Sequence, residues 1–169
     1  SKGEKVGIHF HETEIFDIQL RVPLIVFGNK VKNRSVDGLS RIIDIPTTIL
    51  GYVNEEFPEP VDGFDLSGEL RGEEDVEHPE HVYSETYHAQ LVEENRYAVE
   101  MSEKYDWGWR SVDSVVSLRS IDKKLICTAN GNIQPAYFFD LVSDPTEENN
   151  LIDDPASKED IMIFHAILK

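Results

Sequence analysis

The sequence predicts a mixed α/β fold, with a strand–helix unit first and then a small antiparallel sheet and a C-terminal helix. Three observations lead there. A β-branched run closed by glycine is followed by a helix start; short strand-like segments then alternate with turn residues; the last stretch repeats its apolar residues at helical spacing.

The first element is Leu20-Arg21-Val22-Pro23-Leu24-Ile25-Val26-Phe27-Gly28. It reads as a strand buried on both faces, with Pro23 near its entrance, where a missing N–H is tolerated. Such a strand needs neighbours on both sides, and few are expected within this chain. Asp44-Ile45-Pro46 then opens a helix, with Asp44 as its cap, Pro46 in the first turn and Ile45, Ile49 and Val53 at helical spacing. From Phe57 to Asp75 the prolines, glycines and carboxylates predict a loop. Its acidic end, Glu73-Glu74-Asp75, lacks the alternation of a calcium loop and reads as solvated.

Strands are expected at Val82-Tyr83-Ser84-Glu85, Arg96-Tyr97-Ala98-Val99-Glu100, Ser114 to Arg119, Leu125 to Thr128 and Ala136 to Leu141. Asp122-Lys123 and Asn130-Gly131 supply turns, so these strands should form an antiparallel meander. Finally, Ser157 can cap a helix with Ile161, Phe164 and Leu168 on one face and Asp160 in its first turn; that helix should cover one face of the sheet. The chain thereby divides into 1–66, carrying the strand and helix, and 67–169, carrying the antiparallel sheet and terminal helix.

Composition narrows the function. Of the 169 residues 40% are apolar, and no apolar run approaches the roughly 18 residues of a membrane span, so no membrane partner is expected. The net charge is −17, from 33 acidic and 16 basic residues, with no basic stripe to meet phosphates, which argues against a nucleic-acid partner. Salt adaptation would explain this acidity, and so would a basic region elsewhere in a longer protein. Cys127 is the sole cysteine; it permits no intrachain disulfide and, within Leu125-Ile126-Cys127, reads as a small core residue. The chain begins Ser1-Lys2-Gly3, without Met or a signal-peptide pattern, and reads as a fragment or processed product. Its compartment stays open, and a homo-oligomer is compatible with everything above.

Four stretches occur in order: Ile15-Phe16-Asp17 through Leu20-Arg21-Val22-Pro23-Leu24-Ile25; Ile43-Asp44-Ile45-Pro46-Thr47-Thr48-Ile49-Leu50; Val61-Asp62-Gly63-Phe64-Asp65-Leu66; and Phe138-Phe139-Asp140-Leu141 through Asp144-Pro145-Thr146-Glu147-Glu148-Asn149-Asn150-Leu151. Together they resemble the C-terminal portion of the sulfatase family of the alkaline-phosphatase superfamily. Val116-Ser117-Leu118-Arg119 and Lys123-Lys124-Leu125-Ile126 stand where the family has two further strands. These motifs identify a scaffold and perform no chemistry, and the superfamily also contains phosphoryl transferases and phosphodiesterases.

The resemblance implies sulfuric ester hydrolysis, in which a formylglycine attacks sulfur while a divalent cation, calcium or magnesium, and basic groups stabilise the oxygens. That nucleophile belongs to a Cys/Ser-x-Pro-x-Arg motif. No such motif occurs in this sequence, and Cys127 is followed by Thr128-Ala129-Asn130. No catalytic residue, metal ligand or cofactor is therefore assigned within the chain, which alone should hydrolyse nothing; formylglycine and cation are expected in a full-length parent. The family's last metal-ligand pair directly precedes a Gly-Glu. Here that place reads Ser1-Lys2-Gly3-Glu4, from truncation or from a degenerate site. His11, and less so His9, match a segment that in sulfatases places a donor on the substrate's sulfate, so both are assigned to substrate binding; a loop role, or adventitious metal binding by the His-x-His pair, is the alternative. His78, His81, His88 and His165 read as surface residues, with His81 or His88 able to border a pocket. The competing readings are a phosphoryl-transfer or phosphodiesterase relative and a stand-alone binding module.

Overall fold

The computed structural model describes residues 15–86 and 114–169. Their contacts gather into two compact units, one of 15–22 with 83–86 and 114–169 and the other of Pro23–Val82.

In the first unit, β1 (Val82–Thr86), β2 (Ser114–Arg119), β3 (Lys123–Asn130) and β4 (Asn132–Asp140) form one sheet in that order. β2 with β3 and β3 with β4 pair antiparallel, as the turn chemistry predicts. Ser120 shapes the first turn, donating to Asp122 Oδ1 at 2.7 Å and accepting the Lys123 N–H at 2.9 Å. Gly131 makes the second with φ +73°, a conformation that glycine adopts without a Cβ penalty. The register shifts between Ile126 and Cys127, which places Cys127 opposite Pro135; a proline is tolerated on this edge strand because its missing N–H interrupts no inner ladder. The strand expected at Arg96 to Glu100 lies outside the described residues.

Period-two alternation gives the sheet two apolar faces. Val116, Leu118, Leu125, Cys127 and Phe138 line one, and α4 (Lys158–Leu168) covers it with Phe164, flanked by Ile161 and Leu168. The Phe138 and Phe164 rings meet edge to face at 5.9 Å. On the other face Val115, Ile126, Phe139 and Leu141 enclose Ile15, and Phe16 packs against Tyr137 and Phe139. α1 (Asp17–Leu20) begins there. Ser157 makes no side-chain cap for α4; instead Asp154 accepts the Ala156 N–H at 2.9 Å and starts the short 3₁₀ turn Pro155–Ser157 ahead of the helix.

The second unit contains α2 (Asp44–Tyr52) and α3 (Ser67–Arg71). The predicted helix at Asp44 is present, but Asp44 is not its cap. It is the first helical residue, and its carboxylate faces away from the helix end, toward Arg41 and Phe64. α2 closes on Asn54 at φ +60°, with Glu55 N–H bonded to Leu50 O (2.9 Å) and Asn54 N–H to Gly51 O (3.2 Å), the hydrogen-bond pattern of a Schellman end. The stretch expected as loop from Phe57 to Asp75 contains α3, which ends on Gly72 at φ +78°. The largest departure is 20–28. Leu20 ends α1, and the rest forms no strand; it is irregular backbone with Ile25 81% and Phe27 91% exposed. A strand exists only where a neighbour accepts and donates along it, and among the described residues nothing pairs with this run.

Candidate functional site

His9 and His11 lie outside the described residues. The described chain resumes at Ile15, buried in the sheet unit, and at Asp17, which sits at the centre of an ionic quartet. Alternation sends Arg119 of β2 and Lys124 of β3 to the same face as Val115 and Ile126, and the two are directly paired across the ladder. Opposed cations there would repel each other. Asp17 resolves the repulsion: Lys124 Nζ donates to its Oδ1 at 2.8 Å and Arg119 Nε to its Oδ2 at 2.9 Å. Glu147 supplies the second carboxylate, with Oε1 2.9 Å from Lys124 Nζ and Oε2 accepting the Asp17 backbone N–H at 2.5 Å. Two cations and two anions make the cluster neutral, as burial demands, since the Lys124 side chain is 0% exposed.

Glu147 reaches this place by a local device. Asp140 accepts the Val142 N–H and Asp144 the N–H groups of Glu148 and Asn149, which tightens the turn after β4 and holds Glu147 at φ +57°. Asn150 then bonds Phe138 N–H through Oδ1 (3.0 Å) and Ala136 O through Nδ2 (3.2 Å), fastening the turn to the edge of β4. The Asp-Pro-Thr-Glu-Glu-Asn-Asn stretch thus has a physical task, the delivery of one carboxylate into the core. Burial is the largest influence on Asp17 and opposes its charge, yet the bonds and charges of Lys124 and Arg119 outweigh it and hold the carboxyl below its ordinary value. A cluster this closed binds nothing from solvent; it fixes the root of the segment that carries His9 and His11.

In the second unit Asp44, 1% exposed, organises a polar hub. Its Oδ1 accepts Phe64 N–H at 2.9 Å and Arg41 Nη2 at 2.8 Å, and its Oδ2 accepts Arg41 N–H at 2.7 Å. Arg41 also donates to Asp62 O and lies over the Phe64 ring, 5.1 Å from its centre. Thr48 Oγ1 donates to Asp44 O and accepts Leu66 N–H. Gly63 is required here, because a Cβ would stand 2.4 Å from Ile43 O. Burial pushes the Asp44 carboxyl upward, but the bonds from Arg41 and Phe64 prevail and lower it.

The remaining candidates separate clearly. His88 lies outside the described residues, and His81 is half-buried. His78 is not a free surface residue: both ring nitrogens are engaged, Nδ1 with Leu39 O and Nε2 with Glu69, each at 2.9 Å. His165 Nε2 lies 2.9 Å from Ile133 O. Cys127 is buried, which pushes its thiol up to about 12, so it is inert packing as the sequence indicates. Among the described residues no group of three or more His, Cys, Asp or Glu is placed to hold a metal, so they offer no ligand set for the cation that the resemblance implies. An open hollow of about 530 Å³ borders α2, lined by Thr47, Leu50 and Phe57 and rimmed by Glu55, Glu56 and Glu59; those carboxylates repel an anionic sulfate ester. No helix among the described residues is long and apolar enough to cross a membrane.

Comparison with solved structures gives the framework these sites belong to. The fold matches a candidate sulfatase from Bacteroides thetaiotaomicron with a TM-score of 0.64 at 22% identity, over 83% of this chain and 27% of that one. It matches BT1596, a 2-O glycosaminoglycan sulfatase, with a TM-score of 0.63 at 23% identity over the same shares. The fold is that of one part of these sulfatase chains. A phosphonate monoester hydrolase from Silicibacter pomeroyi shares it at a TM-score of 0.53 and 26% identity, over 74% of this chain and 23% of its own. No family model matches the sequence, and no curated protein is significantly similar to it. The chain spans about a quarter of the length of the sulfatase-fold chains it matches, and that fraction fits the portion read from the sequence motifs. Sequence reasoning missed the quartet although it quoted all of its members. The signal was available: Lys124 shares a strand face with Ile126, where an apolar residue belongs.

Proposed function

We propose that the chain is the C-terminal portion of a sulfuric ester hydrolase and is inactive on its own. The observation that carries this is the match of 83% of the chain to only 27% of a sulfatase-fold chain, in a sequence without a Cys/Ser-x-Pro-x-Arg motif. In the parent, the formylglycine nucleophile and the divalent cation, calcium or magnesium, belong to the remaining part. This chain contributes His11, and secondarily His9, as donors toward the sulfate oxygens, where developing negative charge rewards an N–H held in advance. Four peptide units separate His11 from Ile15 and span at most about 14 Å, so the anchored root restricts where the donor can go. The exposed run from Val22 to Phe27 supplies a strand to the parent's sheet.

The test is hydrolysis of an aryl sulfate by the full-length parent and by this chain. Turnover by the parent alone is expected, with His11→Ala lowering kcat roughly 10²–10³-fold at unchanged melting temperature. Turnover that purifies with this chain alone would refute the reading. The match to a phosphonate monoester hydrolase favours a second reading, phosphonate or phosphate ester hydrolysis, which the same assay with a phosphonate monoester separates.

A further inference from the structure

We propose that His78 is an imidazolium latch that clamps the Gly38-Leu39 turn onto α3 and opens when base removes its proton. The inference rests on the stereochemistry of its two partners. Leu39 O is a carbonyl and can only accept, so Nδ1 must carry a hydrogen across the 2.9 Å contact. Glu69 Oε1 is a carboxylate oxygen 2.9 Å from Nε2, and while ionised it too only accepts. A neutral ring has one N–H and would turn a lone pair on one of these oxygens. Only the doubly protonated ring satisfies both.

The surroundings are built for that state. Glu69 faces the ring from α3 and Asp44 adds its field from α2, while Arg34 shares Glu69 at 3.2 Å and Arg41 is held by Asp44. The ring fills the space above Gly38, where a Cβ would stand 2.4 Å from Nδ1. Burial opposes the charge and is the largest influence, but the bonds to Glu69 and Leu39 with the fields of Glu69 and Asp44 raise the ring above its ordinary 6.5. The clamped residues belong to a segment that is otherwise tied to α3 by Lys32 N–H to Leu70 O (2.9 Å) and by Arg34 to Glu69 (3.2 Å), with Arg34 also donating to Glu73 O just beyond the helix (3.1 Å). Losing the proton therefore loosens Gly38-Leu39 while the stretch 32–34 stays attached.

The experiment is a ¹⁵N-resolved NMR titration of the histidine rings of the purified protein over about pH 5 to 10. It is read alongside amide exchange at Leu39, Ser40 and Glu69. Two protons on the His78 ring at neutral pH, a midpoint above 6.5 and, beyond it, loss of protection at those amides relative to the intrinsic base-catalysed rate are expected. Glu69→Gln, which keeps an acceptor and removes the charge, should move the midpoint down. Gly38→Ala, which displaces the ring, should do the same. A neutral ring below pH 6.5, a midpoint that neither variant moves, or protection indifferent to the titration would each overturn the latch.

Discussion

The two units are held together by opposite means. In the sheet unit, alternating strands bury Val115, Val116, Leu118, Leu125, Ile126 and Phe138, and among the described residues the deep charges form a neutral quartet. In the Pro23–Val82 unit the centre is polar, Asp44 with Arg41 and His78 with Glu69, while Ile25, Phe27, Ile42, Ile49 and Val53 face outward. Apolar area removed from water is worth about 25 cal/mol per Å², so the first unit has a core of its own and the second leaves much of its apolar surface unused. The difference is one of apolar burial: the sheet unit encloses its apolar residues, and the Pro23–Val82 unit leaves many of its own exposed.

The quartet should produce the largest single effect. Lys124→Met leaves Glu147 a buried carboxylate without its cation and Asp17 with Arg119 alone, and breaking one partner of such a cluster costs about 3–5 kcal/mol. Chemical denaturation followed at the sheet should show it; a cost below about 1 kcal/mol would mean that the cluster is solvated and anchors nothing. Phe138→Ala removes a ring packed between β3 and α4 and is expected to cost a similar ~3–5 kcal/mol, with the midpoint shifted and the denaturant slope kept.

How much of this was legible follows from the range of the interactions. β2, β3 and β4 are readable because alternation and turn chemistry are local, and Ile161, Phe164 and Leu168 announce the inward face of α4 by spacing alone. The run 20–28 was misread as a strand. Its β-branched pattern is that of a sheet interior, but a strand is a property of its neighbours, and the described residues do not supply them. Asp44 looked like a cap because capping rules see only the following turn; its partners are Arg41, three residues before it, and Phe64 N–H, twenty residues on. Asp17, Lys124 and Glu147 are more than a hundred residues apart at their widest, and no local rule joins them. The substrate-side assignment of His9 and His11 came from resemblance and remains a proposal.

Smaller effects sharpen the contrast. Asp44→Asn should cost about 1–3 kcal/mol, the penalty for a buried hub that loses its charge-assisted bonds, and should loosen 41–64 without disturbing the sheet. The pH responses should differ as well. The lowered carboxyls of Asp17 and Asp44 stabilise their units above the ordinary 3.8, and that contribution fades as the pH falls through their folded values below it. The raised His78 works in reverse: its contribution is complete below 6.5 and lost as the pH rises through its folded value. Acid should therefore weaken both units, whereas mild alkali should loosen only the second. Equal alkaline loss in β2 and β3, followed by amide exchange, would contradict this. Phe27→Ser, at a side chain 91% exposed, should change the stability of this chain by no more than about 0.5 kcal/mol.

Amide exchange of residues 22–27, compared between this chain and the full-length parent, tests the central claim most directly. If the Pro23–Val82 unit is part of a larger layer, these amides exchange rapidly in the chain alone, because among the described residues nothing pairs with them. In the parent they should slow by orders of magnitude as the run joins a sheet, while β2 and β3 are protected in both. Slow exchange at 22–27 in the isolated chain, or equally fast exchange in both proteins, would contradict the account.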